Sequence, residues 1–301
     1  MIFSKNSIVR EVKQALLHAG THLEEDLTDR LQQMEQQTEA LLNTLEQDDE
    51  RIPSYETSLE VLRMIGRNLQ LSDETNLPMC QDTGMVVFFV EMGFDLLLSM
   101  HEIEDALHEA VRQAVEEGNF RNSVVQDPVF DRTNTGTNLP PVIHWFPKQG
   151  SGLTIRAMLK GFGSENCSAM RMLNPTAGAE AVLKTVVSLV KEAGGKPCPP
   201  IVVGIGIGGT AERSGQLAKK ALFRPVGEPH RESRYANLEQ QIEEKIQDLH
   251  IGPGGFGGPL TALGVAIEYE PTHIAGLPVS VAISCWADRK AVVDFEGEPD
   301  A

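Results

Sequence analysis

The stretch Pro78-Met79-Cys80-Gln81-Asp82-Thr83-Gly84, running straight into Met85-Val86-Val87-Phe88-Phe89-Val90, decides how this chain is read. Its second half is a short apolar run bounded by turn residues, the pattern of a buried strand. Its first half sets a thiol, an amide, a carboxylate and a hydroxyl side by side and closes on a glycine. Reactive side chains sit best on a loop that a rigid element anchors, so the two halves read as a site mounted on a strand edge.

Working outward, helical spacing over residues 6–19 and 22–48 predicts two antiparallel helices joined near Gly20. A third helix over 57–71, carrying Leu59, Leu62, Ile65 and Leu69, leads into Cys80. Beyond the strand, residues 101–117 predict another amphipathic helix, followed by a polar segment from Asn119 to Pro141. So long a polar loop inside a compact domain is uncommon and usually functional. Strands are expected at 142–146 and 153–159, then a glycine-containing turn, Lys160 to Cys167, entering a helix to about Ala193. A strand beginning at Ile201, helices over 210–222 and 234–248, and strands over 260–268, 278–284 and 290–295 complete the pattern, with an acidic tail from Glu296 to Ala301 that is expected to fray. The fold class is therefore mixed α/β. Residues 1–301 are expected to form a single compact domain, with a helical segment at 1–72 and a mixed sheet carrying the site loops at 73–301.

Composition narrows the function. A formal charge of −17 argues against nucleic acid and against an anionic membrane surface as partners. It also requires that any anionic ligand be held by a local cationic pocket working against the global field. No apolar run is long enough to span a bilayer, and the first residues lack a signal-peptide pattern. Four scattered cysteines in 301 residues do not resemble a disulfide framework, so a reducing cytoplasm is expected.

Three of those cysteines have comparable settings: Cys80, Cys198 in Lys196-Pro197-Cys198-Pro199-Pro200, and Cys285 in Ser284-Cys285-Trp286-Ala287-Asp288-Arg289. Each lies beside a predicted strand end or turn, and a proline follows Cys198 as at some ferredoxin ligands. Three thiolates can hold an iron–sulfur cluster with one iron open, or zinc with His273 or water as a fourth ligand. A separate signal, Gly204-Ile205-Gly206-Ile207-Gly208-Gly209 after a strand, fits G-x-G-x-x-G, with Glu228 roughly where a ribose-binding acid would fall. That fingerprint usually opens the first βαβ unit of a domain, whereas here it lies deep in the chain. Close packing around Cys198 is the simpler reason for the glycines.

Five motifs then fall in order: Cys80-Gln81-Asp82-Thr83-Gly84, Asn134-Thr135-Gly136-Thr137-Asn138-Leu139-Pro140, Lys160-Gly161-Phe162-Gly163-Ser164-Glu165-Asn166, Cys198-Pro199-Pro200 with Gly208-Gly209-Thr210-Ala211-Glu212, and Ser284 to Arg289. From about residue 50 onward the chain resembles the iron–sulfur class I fumarases and L-tartrate dehydratases, specifically the alpha subunit of the two-subunit form. The resemblance implies a [4Fe–4S] cluster on Cys80, Cys198 and Cys285, with Cys167 left out. It implies a hydro-lyase adding water reversibly across the double bond of a dicarboxylate: fumarate to L-malate, a tricarboxylic acid cycle step, or in the alternative dehydration of L-tartrate. Asp82 and His273 take the catalytic places. Gln81 and Arg121 match positions that bind substrate carboxylate, and the Gly161 to Gly163 turn matches a segment whose backbone touches substrate. Single-chain relatives continue into a second domain supplying further catalytic groups, so a separate beta subunit and a hetero-oligomer are expected. A non-enzymatic iron–sulfur sensor would need only the thiols, and the presence of Gln81, Asp82 and Arg121 beside them speaks against it.

Overall fold

The computed structural model describes residues 4–296, so most of the acidic tail lies outside the described residues. The chain is a mixed α/β protein of eight α-helices and eight strands among the described residues, arranged in two four-stranded sheets. It divides into two compact units, each assembled from segments far apart in sequence. The first takes the chain up to Leu23, Leu69–Phe162, and the chain from Arg289 onward; the second takes Glu24–Asn68 and Gly163–Asp288. Among the described residues, no helix is long and apolar enough to cross a membrane.

In the first unit, β1 (Met85–Gly93) is the strand read from the sequence. It lies between β2 (Val142–Lys148), to which it runs parallel, and β3 (Leu153–Lys160), to which it runs antiparallel. β8 (Lys290–Phe295) pairs antiparallel with the far side of β3, giving the order β2-β1-β3-β8. Two helices, α1 (Lys5–Thr21) and α4 (Met100–Glu117), share this unit's core: Ile8, Val12 and Leu16 pack with Phe88, Val90, Ile103, Leu107 and Ile155. Each such side chain contributes about 1.5–3 kcal/mol on burial. Both helices open with a capping box, built on Ser4 with Ser7 and on Ser99 with Glu102.

The two helices expected to pair belong to different units. The apolar stripe of α1 is spent on α4, and α2 (Glu25–Leu42) belongs to the other unit, where it meets β6. α3 (Ile52–Thr75) passes from the second unit to the first at Asn68/Leu69.

The second unit has the order β4-β7-β5-β6, with β5 (Ile201–Gly209) parallel to β6 (Ala262–Thr272) and antiparallel to β7 (Leu277–Ser284). The alternation along β5 explains its glycines. Ile201, Val203, Ile205 and Ile207 share a core with Val186 and Val190 of α6 (Gly178–Ala193) and with Ile242 and Ile246 of α8 (Ser233–Gln247). The intervening Gly204 and Gly206 lie under α7 (Ala211–Ala221), and a Cβ on Gly206 would stand 1.9 Å from the Ser214 carbonyl oxygen. Period 2 is the period of a strand. The G-x-G pattern therefore records a helix laid directly on a sheet, and neither a dinucleotide nor packing around Cys198 is needed to account for it.

One helix was shorter than its pattern predicts. The glycine turn yields only α5 (Phe162–Glu165), and then β4 (Ala169–Leu173) joins the edge of β7 before α6 begins. Pro175 stops a helix from running back through this stretch, and edge pairing claims residues 169–173 instead.

Candidate functional site

The loop from Cys80 to Gly84 is pinned from both ends. Met79 N–H donates to the Gly20 carbonyl at 3.1 Å, and Ser72 Oγ donates to the carbonyls of Thr21 and Leu77. Within it, Asp82 Oδ1 accepts the Gly84 N–H at 3.0 Å, and Oδ2 accepts the Phe162 N–H at 2.8 Å. Both oxygens of a half-buried carboxylate are thus fixed by backbone donors from two different loops. Gly161, half-buried beside it, is a point of close approach: a Cβ there would lie 3.3 Å from Asp82 Oδ2 and 3.4 Å from Arg289 Nη2, tighter than an ordinary contact. Lys160, Arg289 and Lys290 are all buried at this end of the β3–β8 ladder, where Leu159 N–H donates to the Arg289 carbonyl.

Arg121 is exposed, and its backbone is tied to the same loop, because its carbonyl accepts from Asn138 Nδ2 at 2.9 Å and from Thr83 Oγ1 at 3.5 Å. Asn138, buried and left-handed at φ 56°, also accepts the N–H of Ser123 and of Val124. The long polar segment is in effect a hairpin, closed by Gln126 to Thr133 and Thr135 to Val124 backbone bonds, with Asn138 as its clamp. Replacing Asn138 by alanine takes the acceptor from the Ser123 and Val124 N–H groups and one donor from the Arg121 carbonyl, which keeps Thr83 Oγ1, so a loss of about 1–3 kcal/mol in a denaturant titration is expected. Gln81 is exposed one residue before Asp82.

The other expected site residues belong to the second unit. Cys198 is exposed at φ 56°, and its carbonyl accepts the Trp286 N–H at 3.4 Å, so the loops bearing Cys198 and Cys285 are neighbours. Cys285 is half-buried at the end of β7, and no disulfide links the described cysteines. Among the described residues, no three His, Cys, Asp or Glu side chains gather as a metal site; Cys80 lies in the first unit, Cys198 and Cys285 in the second. Thiols in sheet-end loops, two of them on hydrogen-bonded neighbours, are nevertheless the donor chemistry an iron–sulfur cluster takes. Cys167 donates to the Gly163 carbonyl at 3.5 Å and lines a cavity of about 490 Å³ with Gly163, Asn166, Arg171 and Lys196. The α5 turn is tied down by Glu165, which pairs with Lys219 of α7 at 2.5 Å.

His273 stands in the β6–β7 turn, over an open cleft of about 560 Å³ lined also by Gly209, Thr210, Glu212, Arg213 and Glu270. Its Nδ1 accepts the Ala275 N–H at 3.1 Å. A backbone N–H can only donate, so the neutral ring keeps its proton on Nε2 and offers it as a donor. Across the cleft, Arg213 forks onto both oxygens of Glu270, with Nε to Oε2 at 2.7 Å, and holds that carboxyl below the ordinary glutamate range. A lowered folded pKa means the pair stabilises at neutral pH and its contribution is lost as pH falls through that value, below 4.5. Thermal melts of Glu270→Gln against wild type should therefore converge in acid and separate above pH 5.

Sequence reading passed over Asn138, Lys160 and Arg289, although all three sit inside motifs it quoted. The chain matches the family model described as Fumarate hydratase (Fumerase) over residues 9–294. A protein of Methanocaldococcus jannaschii, named provisionally as L(+)-tartrate dehydratase subunit alpha, is 45% identical over 243 residues, covering 79% of this chain and 85% of its own. The L(+)-tartrate dehydratase subunit alpha of Escherichia coli K12 is 29% identical over 292 residues, covering 96% and 90%, and that of Shigella sonnei stands at the same values.

Proposed function

Because the chain belongs to the Fumarate hydratase (Fumerase) family of hydro-lyases, we propose that it is the alpha subunit of an enzyme that removes water from a hydroxy-dicarboxylate, with L(+)-tartrate favoured as substrate. The expectation of fumarate hydratase as the main activity gives way here, since the relatives carry the tartrate name. The observation that carries the hydro-lyase reading is Asp82, a half-buried acid clasped by the N–H groups of Gly84 and Phe162.

Dehydration must take a proton from one carbon and help a hydroxide leave the next. Asp82 is the chain's own proton acceptor, held still by its two donors so that no reorientation precedes transfer. His273 offers Nε2–H to a substrate oxygen. Arg121 and Gln81 take substrate carboxylate oxygens, and Gly161 and Gly163 let the backbone come close to the substrate. Cys80, Cys198 and Cys285 would hold a [4Fe–4S] cluster, which supplies a Lewis acid for a hydroxyl or carboxylate oxygen. Such thiolate ligands suit a reducing cytoplasm. A beta subunit completes the site, as the alpha designation of the relatives supports.

The test is turnover by the chain co-produced with its partner and reconstituted without oxygen. L(+)-tartrate should lose water to an enol that tautomerises to a 2-oxo diacid, visible by ultraviolet absorbance, with kcat/KM above that for L-malate. Malate preferred over tartrate would restore the fumarate hydratase reading; no reaction with either would end the hydro-lyase proposal. Iron and labile sulfide should be present together and fall when Cys80, Cys198 or Cys285 becomes serine. Stoichiometric zinc without sulfide would overturn the cluster assignment.

A further inference from the structure

The stretch Gly252-Pro253-Gly254-Gly255-Phe256-Gly257-Gly258-Pro259 takes no part in the chemistry set out so far, yet it lies against the loop that carries Cys198. Cys198 itself is held in the left-handed region at φ 56°, where a side chain crowds its own backbone. A residue stays in such a conformation only when its surroundings over-determine it, and such residues gather at functional sites. Its contacts do so here. The Cys198 N–H donates to the Gly195 carbonyl at 3.2 Å, and its carbonyl accepts the Trp286 N–H at 3.4 Å. The Pro199 carbonyl accepts the Gly254 N–H at 2.8 Å. Backbone also sits directly on backbone: a Cβ on Gly255 would stand 2.6 Å from the Gly195 Cα, and a Cβ on Gly195 would stand 3.1 Å from the Gly255 Cα. Gly255 is left-handed as well, at φ 79°. The glycine loop has its own anchor, since Ser58 Oγ of α3 donates to the Gly257 carbonyl at 2.7 Å and the Gly257 N–H donates to the Ile251 carbonyl at 2.8 Å. All of these residues belong to the second unit.

We infer that the 252–258 loop is a brace that holds Cys198, and through the Trp286 N–H the neighbouring Cys285 loop, in place to receive the cluster, with Gly255 as its bearing point. A cluster needs thiolates already aimed at one place, and groups that touch only the ligands' surroundings decide how well they hold it. The chain from Gly195 to Cys198 cannot shift towards the brace, because Gly255 occupies that side. It cannot shift away without breaking the bond from the Gly254 N–H to the Pro199 carbonyl. A methyl at residue 255 would push on Gly195, whose carbonyl holds the Cys198 N–H, so the displacement would reach the thiol through a single hydrogen bond. The inference rests on the cluster reading of the proposed function and deepens it. Gly255 and Gly195 become positioning residues for the Cys198 and Cys285 thiols, acting through the backbone and touching neither substrate nor metal.

The experiment uses the full-length alpha–beta complex, loaded anaerobically, as wild type, Gly255→Ala, Gly195→Ala and Gly257→Ala. Gly257 is the matched control. It is left-handed at φ 88°, so alanine meets the same kind of backbone penalty there, but the nearest atom to its Cβ is Ser54 Cβ at an ordinary 3.5 Å. Iron release to a chelator should be about 10- to 100-fold faster in Gly255→Ala than in Gly257→Ala, with Gly195→Ala between them. The paramagnetic resonance signal of the reduced cluster should shift in Gly255→Ala and hold its wild-type position in Gly257→Ala. In the same complexes stripped of metal, the Trp286 amide donates to Cys198 from outside the substituted loop. Its hydrogen exchange should quicken in Gly255→Ala and not in Gly257→Ala. Melting temperature reports whether each variant is folded. A folded Gly255→Ala whose iron release and Trp286 exchange match those of Gly257→Ala overturns the inference, for the loop then contributes general stability alone. If Gly255→Ala does not fold, Gly195→Ala against Gly257→Ala decides on the same readouts. A wild-type complex that takes up zinc without sulfide would end the cluster reading instead, and Trp286 exchange in the metal-free complexes would still decide whether the 252–258 loop braces Cys198.

Discussion

Asp82→Asn is expected to cut kcat by about 10²- to 10⁴-fold, the range that a positioned acid–base group supplies, while the complex still assembles and binds succinate. Asparagine keeps the shape of the side chain and one acceptor oxygen. It can answer either the Gly84 N–H or the Phe162 N–H, and its amide nitrogen faces the other as donor against donor. A modest fall in melting temperature therefore accompanies the kinetic loss, through the loop and not the core. Asp82→Glu separates the two effects: it restores a carboxylate but displaces it along a longer stem, so stability and activity should both fall part of the way. Single-turnover measurement distinguishes a slowed chemical step from slowed product release. If Asp82→Asn retains more than about a tenth of wild-type kcat, proton transfer belongs to another group and Asp82 serves only to brace the loop.

How much of this was legible beforehand varies with the kind of signal. β1 and α4 were readable because their periodicity is local: Met85 to Val90 can be little else but a buried strand, and residues 101–117 repeat their apolar positions at helical spacing. β4 was not, because Ala169–Leu173 is an edge strand held by Val281 to Leu277 of β7, a partner more than a hundred residues away. The glycines of β5 were visible and their cause was not, since the reason lies in the backbone of Ser214 and Ala218 in the following helix. Among site residues, Asp82 announced itself by its neighbours Cys80 and Gln81. Arg289 stood in a quoted motif, yet an arginine ordinarily reads as solvated surface. Only the β3–β8 ladder shows that its backbone is anchored where its guanidinium cannot reach water. Asn138 is similar: its clamp on Arg121, Ser123 and Val124 is a tertiary fact that composition records only as a polar loop.

Gly84→Ala is expected to cost both folding and catalysis, through one displacement. Gly84 is left-handed at φ 84°, and a Cβ there would stand 2.5 Å from the Lys160 carbonyl carbon and 2.6 Å from its oxygen. Neither backbone can yield alone, because β1 and β3 pair immediately beyond, Met85 with Lys160 and Val86 with Leu159. Overpacking of this kind costs about 1–3 kcal/mol, and the left-handed backbone adds about 1–2 kcal/mol for a residue that bears a Cβ. The first pair of the ladder is the part that can open. Opening it moves Lys160 and Gly161 away from Gly84, and Asp82 then loses the simultaneous hold of Gly84 N–H and Phe162 N–H. Denaturant midpoints should fall without a change in slope if the rest of the sheet is intact. Activity should fall further than stability explains, so that lowering the assay temperature to refill the folded population does not restore kcat. Hydrogen exchange should localise the loss to the amides of Gly84 and Phe162, leaving Val87 to Val90 protected. If Gly84→Ala instead lowers kcat only in proportion to the unfolded fraction, the two-loop clasp on Asp82 is structural and the turnover assigned to its geometry must come from elsewhere.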